Sequence, residues 1–141
     1  MIALLEKCID EIRHHGARDY PYECCGLLLG SFDPNGSKRV TETYPISNAR
    51  EEAAKRNRFL IKPEELLIGE RYARDNKLEV VGFYHSHPDS PAVPSQYDLE
   101  HAWPTYSYII VSTTNGDTGD FRSWEQRPDR SQFDEENVLR S

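Results

Sequence analysis

The chain has 141 residues, of which 17 are basic and 24 are acidic, so its formal net charge is −7. A chain of this length can bury a core without disulfide or metal staples, and we predict a single domain spanning residues 1–141. The acidic charge, without a Lys/Arg stripe, argues against nucleic acid as a partner, and three cysteines cannot form a closed disulfide framework.

The first third of the chain predicts a helix followed by a strand hairpin. Residues 2–15 carry apolar side chains at helical spacing, and Gly16 follows where a C-cap would lie. This apolar segment is too short for a signal peptide or a membrane span, so we expect a cytoplasmic protein without a membrane partner. Residues 24–30, CCGLLLG, predict a buried strand, and a DPNG turn returns the chain as a hairpin partner over 38–47. Pro45 in that partner indicates an edge or a bulge.

The rest of the chain predicts alternating helices and strands. A charged loop or short helix at 48–58 and a brief strand at 59–61 precede a helix from Pro63 to about Asn76. Leu66, Leu67 and Tyr72 or Ala73 of this helix are expected to face inward. The later elements are a strand at 78–88, a short helix at 95–102, strands at 106–112 and 119–126, and a weak final strand or frayed segment at 127–141. This order indicates an α+β or α/β layered domain with a mixed sheet.

Two histidines stand at the end of the predicted strand 78–88. Alternate residues of a strand point to the same face, so His85 and His87 project together with Cα atoms roughly 7 Å apart and can bind one ion. The competing interpretation is a pair of polar residues emerging at a strand end. Ser95 and Asp98 form a capping-box pattern, but residues three apart share a helix face, so Asp98 can also supply an oxygen ligand. Three protein ligands with an open fourth position are typical of a catalytic zinc site.

These residues, together with Glu23 before the first buried strand, resemble the JAMM (MPN-plus, JAB domain) metallopeptidase family. The family motif is Glu … His-[Ser/Thr]-His-Pro-x6-Ser-x-x-Asp, and six residues lie between Pro88 and Ser95 here. The order of elements over residues 2–126 is also similar. The resemblance implies a single MPN/JAB-like α+β domain of the cytidine-deaminase-like class, with a mixed curved sheet flanked by helices.

The resemblance also implies roles for five residues. One Zn²⁺ ion would be bound by His85, His87 and Asp98. Glu23 would be the base that deprotonates the zinc-bound water, and Ser95 would donate a hydrogen bond to the oxyanion. Both Glu23 and Ser95 are therefore expected to be catalytic.

The implied activity is hydrolysis of peptide or isopeptide bonds after the C-terminal Gly-Gly of ubiquitin-like or sulfur-carrier proteins, as in small prokaryotic members of the family. Such a carrier is the expected partner. The sequence leaves open which carrier is used, whether the leaving group is a cysteine, a peptide tail or a lysine side chain, and whether the chain forms a homodimer.

Other interpretations remain open at this point. MPN domains without the zinc motif serve as interaction scaffolds, and zinc chemistry would equally suit a hydrolase of small amides. Cys24 or Cys25 could act as a nucleophile with a histidine base, although both fall in an apolar strand where a thiol behaves as a hydrophobe. His14 and His15 are expected to stabilise a helix C-terminus and not to bind metal. Tyr84 and Tyr97 flank the ligands and are candidates for shaping the substrate channel.

Overall fold

A computed structural model describes residues 1–48, 61–115 and 117–141, so most of the predicted elements at 48–58 and 59–61 lie outside the described residues. The described residues form a mixed sheet flanked by helices, which confirms the predicted α+β class. The elements are β1 (Ile2–Leu4), α1 (Glu6–Asp19), β2 (Cys25–Phe32), β3 (Lys38–Ile46), α2 (Pro63–Asp75), β4 (Glu79–Pro88), α3 (Gln96–Glu100), β5 (Ser107–Thr114), β6 (Asp117–Gln126), β7 (Phe133–Glu136) and β8 (Val138–Arg140).

Strand β4 lies in the interior of the sheet, whose order is β7-β6-β5-β4-β2-β3-β1-β8. It pairs with β2 in antiparallel orientation and with β5 in parallel orientation. The β2–β3 and β5–β6 pairs are the hairpins expected from the sequence, whereas the connection from β4 to β5 is a crossover that contains α3. Both neighbours therefore hold the end of β4 that carries the two histidines.

The sheet buries a core on each face. On one face α1 contributes Ile9 and Ile12, which pack with Leu28 of β2. On the other face α2 contributes Ala73, which packs with Leu27. Successive side chains of β2 point to opposite faces of the sheet and so pack into both cores, which explains why the sequence of β2 is continuously apolar. The prediction that Leu67 faces inward is wrong, because its surface is 57% exposed.

The N-terminal segment differs from its prediction. Ile2 and Leu4 are buried in strand β1, which pairs in parallel with the start of β3, and the helix begins only at Glu6. The helix also continues through Gly16 to Asp19, so Gly16 is not a C-cap. A Cβ at Gly16 would lie 3.1 Å from Thr113 Cγ2, so the missing side chain lets α1 approach β5 closely.

Both sheet edges use the C-terminal part of the chain. Strand β7 pairs with β6, and β8 pairs with β1 at the opposite edge. Pro45 pairs with Gly26 of β2. The three residues of β3 that pair with β1 come earlier in the strand, so among the described residues β2 is the sole strand beside Pro45. No described helix has the length and apolar character that crossing a bilayer requires.

We expect Gly82→Ala to destabilise the fold by about 1–3 kcal/mol, because the added Cβ would clash with the backbone carbonyl oxygen of Ser107 and a paired backbone cannot move aside. The measurement is the urea midpoint of unfolding. Gly119→Ala is the control, since its Cβ would lie 2.7 Å from the hydroxyl oxygen of Ser112, a side-chain atom that can rotate away. Equal midpoints for the two variants would contradict the expectation.

Candidate metal centre

The two histidines lie at the buried end of β4. His85 is 1% exposed and His87 is 7% exposed, and His85 pairs with Cys25 on one side and with Ile110 on the other. Their alternation within a strand held on both sides directs the two imidazoles to one face of the sheet. Ser86, between them, accepts a hydrogen bond from the Cys24 N–H at 2.8 Å through its buried hydroxyl oxygen.

A capping box brings Asp98 to the histidines. The Ser95 side chain accepts a hydrogen bond from the Asp98 N–H at 3.1 Å, and the Ser95 N–H donates to Asp98 Oδ2 at 2.9 Å. The predicted helix cap is therefore confirmed. The same Oδ2 atom also faces both imidazoles, so the cap fixes the carboxylate in front of the histidine pair.

Three potential ligand atoms converge on one point. His85 Nε2 lies 3.1 Å from His87 Nε2 and 3.3 Å from Asp98 Oδ2, and His87 Nε2 lies 3.1 Å from the same oxygen. Ligands about 2.0–2.1 Å from a tetrahedral zinc ion are about 3.3–3.4 Å apart, so the observed triangle fits such an ion. These residues form a group capable of holding a metal.

The tautomer of His87 suits a cation, and the three groups shift one another's pKa. His87 Nδ1 lies 2.9 Å from the carbonyl oxygen of Pro91, and an Nδ1–H donated to that oxygen leaves Nε2 with a lone pair. Burial lowers the pKa of His85. Burial also acts on His87, but the hydrogen bond to Asp98 raises the pKa of His87. Burial alone would raise the pKa of Asp98, yet the charge of His85 and the hydrogen bonds from both histidines hold it well below its usual range.

Glu23 is a buried carboxyl group beside this triangle, although a glutamate in a turn is ordinarily a surface residue. It is 4% exposed, and its Oε1 atom is buried without a hydrogen-bond partner among the described residues. Burial raises the pKa of Glu23 to about 8, with smaller effects from the charges of His87, which lowers it, and Asp98, which raises it. A carboxyl group in this state can exchange a proton near neutral pH.

Ser95 lies at the exposed rim of the site. Its hydroxyl oxygen accepts the bond from the Asp98 N–H, and the hydroxyl hydrogen remains available for donation. The structure therefore brings together the three predicted ligands, with the two predicted catalytic residues next to them.

A groove of about 220 Å³ leads to His85 and Asp98. Its walls are mainly apolar and aromatic and consist of Ile61, Leu66, Phe83, Tyr97, His101, Trp103 and Tyr108. Trp103 in this wall is 56% exposed. Because the walls come from five separate segments, sequence spacing carried no signal for the groove.

The structure separates the two tyrosines that flank the ligands. Tyr97 lines the groove, as expected. Tyr84 does not, because it is buried on the opposite face of β4, where its hydroxyl oxygen lies 2.7 Å from His15 Nδ1. His15 Nε2 lies 3.2 Å from Asp19 Oδ2. His15 is therefore a buried link between α1 and β4 and does not cap a helix end.

A second cavity, of about 540 Å³, contains Glu23 in its wall. Its other walls are the end of α1, the segment before β2, and residues 45–48 at the end of β3 and just after it. The cavity was not anticipated, since no motif joins these three segments.

The cysteine-nucleophile interpretation is contradicted by burial. Cys24 and Cys25 are both free and fully buried in the sheet. Burial raises the pKa of the Cys24 thiol to about 12, and it raises the pKa of Cys25 as well. Neither thiol can supply a thiolate near neutral pH.

Comparison with known proteins identifies a matching family, related sequences and a similar solved structure. A family model described as prokaryotic homologs of the JAB domain matches residues 5–127. A desampylase of Haloferax volcanii is 38% identical over 108 residues, which cover 76% of this chain and 74% of the relative. A CysO-cysteine peptidase of Mycobacterium tuberculosis is 34% identical over 111 residues, which cover 78% of this chain and 72% of the relative. The solution structure of a Desulfitobacterium hafniense protein superposes with a TM-score of 0.86 at 31% identity, covering 100% of this chain and 93% of that one.

We expect His85→Ala and His87→Ala each to weaken zinc binding by more than about 100-fold, since each removes one of three ligands. Replacing a residue that only hydrogen-bonds to a metal ligand already lowers metal affinity by about 10–100-fold. Calorimetric titration with a zinc salt measures the affinity, and circular dichroism checks the fold. His101→Ala is the matched control, because His101 lines the groove without belonging to the triangle. Undiminished affinity in either ligand variant would rule out the site.

Proposed function

The chain belongs to the family of prokaryotic homologs of the JAB domain, and from this premise we propose that it is a zinc-dependent peptidase or isopeptidase. Its substrates would be conjugates joined through the C-terminal Gly-Gly of a ubiquitin-like or sulfur-carrier protein. The observation that carries the proposal is the convergence of two imidazole nitrogens and one carboxylate oxygen within 3.3 Å of one another, beside a buried glutamate.

The relatives support the substrate class. One is named a desampylase and another a CysO-cysteine peptidase, and each matches about three quarters of this chain at more than 30% identity. A third relative, from Thermus thermophilus, is named a probable TtuB-protein conjugate cleaving protease. Cleavage is the activity that these names have in common, and two of them name what is cleaved, CysO-cysteine and a TtuB-protein conjugate.

The donor set supports a role for zinc. His85, His87 and Asp98 would hold the ion through two nitrogens and one oxygen, which leaves a position open. When bound, zinc supplies a Lewis acid that polarises a carbonyl group and lowers the pKa of a water molecule.

Glu23 would transfer a proton from the attacking water to the leaving nitrogen. Water adds to the carbonyl carbon of the scissile amide, and Glu23 takes one of its protons and delivers it to the nitrogen as the carbon–nitrogen bond breaks. The second proton of the water also passes to the nitrogen, so the products are a carboxylate on the carrier and a protonated amine. The burial of Glu23 and its unpartnered Oε1 atom support this role, because this oxygen has no competing hydrogen bond among the described residues.

Ser95 would stabilise the negative charge that develops on the carbonyl oxygen. Its hydroxyl lies at the rim of the site and is fixed by the capping box with Asp98. The loss of one such donor typically slows catalysis by roughly 10²–10³-fold.

The groove favours an extended tail that ends in glycines. Residues that precede the Gly-Gly would contact its apolar walls, such as Phe83 and Trp103, while the glycines would reach His85 and Asp98. The glycines present no side chain to these buried ligands, so the backbone can approach them closely.

A non-catalytic scaffold and a hydrolase of small amides are the alternatives. A scaffold has no need for a buried glutamate, with an Oε1 atom that lacks a hydrogen bond among the described residues, beside the three ligands, since such a group costs stability. The apolar groove leading to the ligands favours a polypeptide tail over a small amide.

We expect Glu23→Gln to bind zinc stoichiometrically and to lose at least about 10²-fold in hydrolysis, because glutamine keeps the shape but cannot carry the proton. Elemental analysis measures the metal, and intact mass measures turnover. Ser31→Ala, an exposed substitution near the far end of β2, serves as the control. Activity near that of wild type would remove Glu23 from the mechanism.

We expect the protein to remove residues that follow Gly-Gly from a C-terminally extended sulfur carrier, and a chelator to abolish the reaction until zinc is restored. Intact mass spectrometry of the carrier follows the cleavage. A carrier whose tail ends in Ala-Ala before the extension is the control and should be cleaved poorly. Equal cleavage of both tails would favour a less selective amide hydrolase.

A further inference from the structure

We infer that Tyr20 is a positioning residue of the metal centre and that it acts through the loop between the two histidines and Asp98. This loop consists of residues 89–94, and we call it the spacer loop. The Tyr20 hydroxyl donates a hydrogen bond to the Asp89 carboxylate and lies 2.9 and 3.0 Å from its two oxygens. The inference rests on the proposed function, because it assigns a support to the same site.

The spacer loop connects groups of the metal centre at both of its ends. It begins two residues after His87 and ends immediately before Ser95, whose capping box holds Asp98. Within the loop, the carbonyl oxygen of Pro91 lies 2.9 Å from His87 Nδ1. A group that hydrogen-bonds to the second nitrogen of a ligating imidazole fixes the orientation of the ring. The position of the loop therefore influences two of the three ligands and Ser95.

The position of the spacer loop depends on hydrogen bonds from neighbouring segments, since the loop contains no helix or strand. The Asp89 N–H donates to the carbonyl oxygen of Thr113 in β5 at 2.7 Å. The indole Nε1–H of Trp124 in β6 donates to the carbonyl oxygen of Ala92 at 3.0 Å. Tyr20, which directly follows α1, holds the beginning of the loop from a third direction.

The bond from Tyr20 acts at a turn of the backbone. Asp89 has a φ of 57°, in the left-handed region that residues other than glycine adopt infrequently. Its side chain is exposed, so in the absence of Tyr20 the carboxylate would be hydrated and free to rotate. A hydrogen bond to a charged carboxylate is stronger than one between neutral groups. Loss of the Tyr20 hydroxyl therefore loosens the turn that places the Pro91 carbonyl against His87.

Tyr20 also lines the cavity beside Glu23, which offers a different explanation for any effect of its hydroxyl. A contact made only with a substrate in that cavity would leave the empty metal centre unchanged, and it would not depend on Asp89. A role through the spacer loop alters metal binding without substrate and requires the Asp89 carboxylate. These two consequences separate the explanations.

The first test measures cobalt(II) binding without substrate, because the visible absorption of this ion depends on the number and arrangement of its ligands. Tyr20→Phe removes a single hydroxyl group. We expect it to weaken cobalt binding at least about threefold and to change the absorption spectrum, as the loss of indirect supports of metal ligands does. Tyr72→Phe is the matched control, since the Tyr72 hydroxyl on α2 also hydrogen-bonds to a carboxylate, that of Glu42. It should change neither quantity.

The second test is a double-mutant cycle with Asp89. Asp89→Gly removes the carboxylate, and glycine adopts the left-handed backbone without strain. Because Tyr20 acts through this carboxylate, adding Tyr20→Phe to Asp89→Gly should weaken cobalt binding by less than about 1.5-fold further. Circular dichroism of each variant checks that the fold is retained.

The results distinguish the inference from the proposed function. An unchanged cobalt affinity and spectrum in Tyr20→Phe would overturn the inference, and so would losses that multiply in full in the double variant. An equal change in Tyr72→Phe would overturn it too, because the effect would then not belong to the spacer loop. If the wild-type protein binds neither cobalt nor zinc, the proposed function itself fails, which is a separate result.

Discussion

The site depends on one carboxylate oxygen that satisfies two requirements. Asp98 Oδ2 accepts the Ser95 N–H at 2.9 Å and lies 3.1 and 3.3 Å from the two histidine nitrogens. The helix α3 has only five residues, so its cap contributes much of what holds it in place. Because the capping bond and the ligand triangle share this atom, a change that frees the helix end also displaces the ligand.

The second constraint is the pairing of β2 with β4. The two strands are antiparallel, so Glu23, just before β2, lies level with the end of β4 that carries the histidines. Ser86 reinforces this register, since its hydroxyl oxygen accepts the Cys24 N–H and its own N–H donates to the Cys24 carbonyl oxygen at 3.2 Å. A one-residue slip would turn the histidines to the opposite face, away from Glu23. The strand register therefore fixes the separation between base and ligands.

Local patterns in the sequence were sufficient for most elements and for bringing His85, His87 and Asp98 together. Period-two spacing places His85 and His87 on one face, and the serine–aspartate spacing predicts the cap. Long-range packing decided the rest. Strand β1 forms because β3 offers a partner 36 residues away, as in the pairing of Ile2 with Lys38, and Gly16 stays helical because β5 lies against it. Neither partner is visible in the sequence around these residues, so a helical pattern from residue 2 and a C-cap glycine were reasonable but wrong.

The strand order also explains why the groove on one side of the site is apolar and the cavity on the other side is polar. The groove lies beside β4, β5 and α3, where Phe83 and Tyr108 stack at 5.5 Å and supply an apolar wall. The polar cavity lies beside the start of β2 and the end of β3, where the chain leaves the sheet and exposes hydroxyl and backbone groups. Since β4 and β2 are adjacent, ligands and base come from neighbouring strands, and the boundary between an apolar and a polar space falls between them.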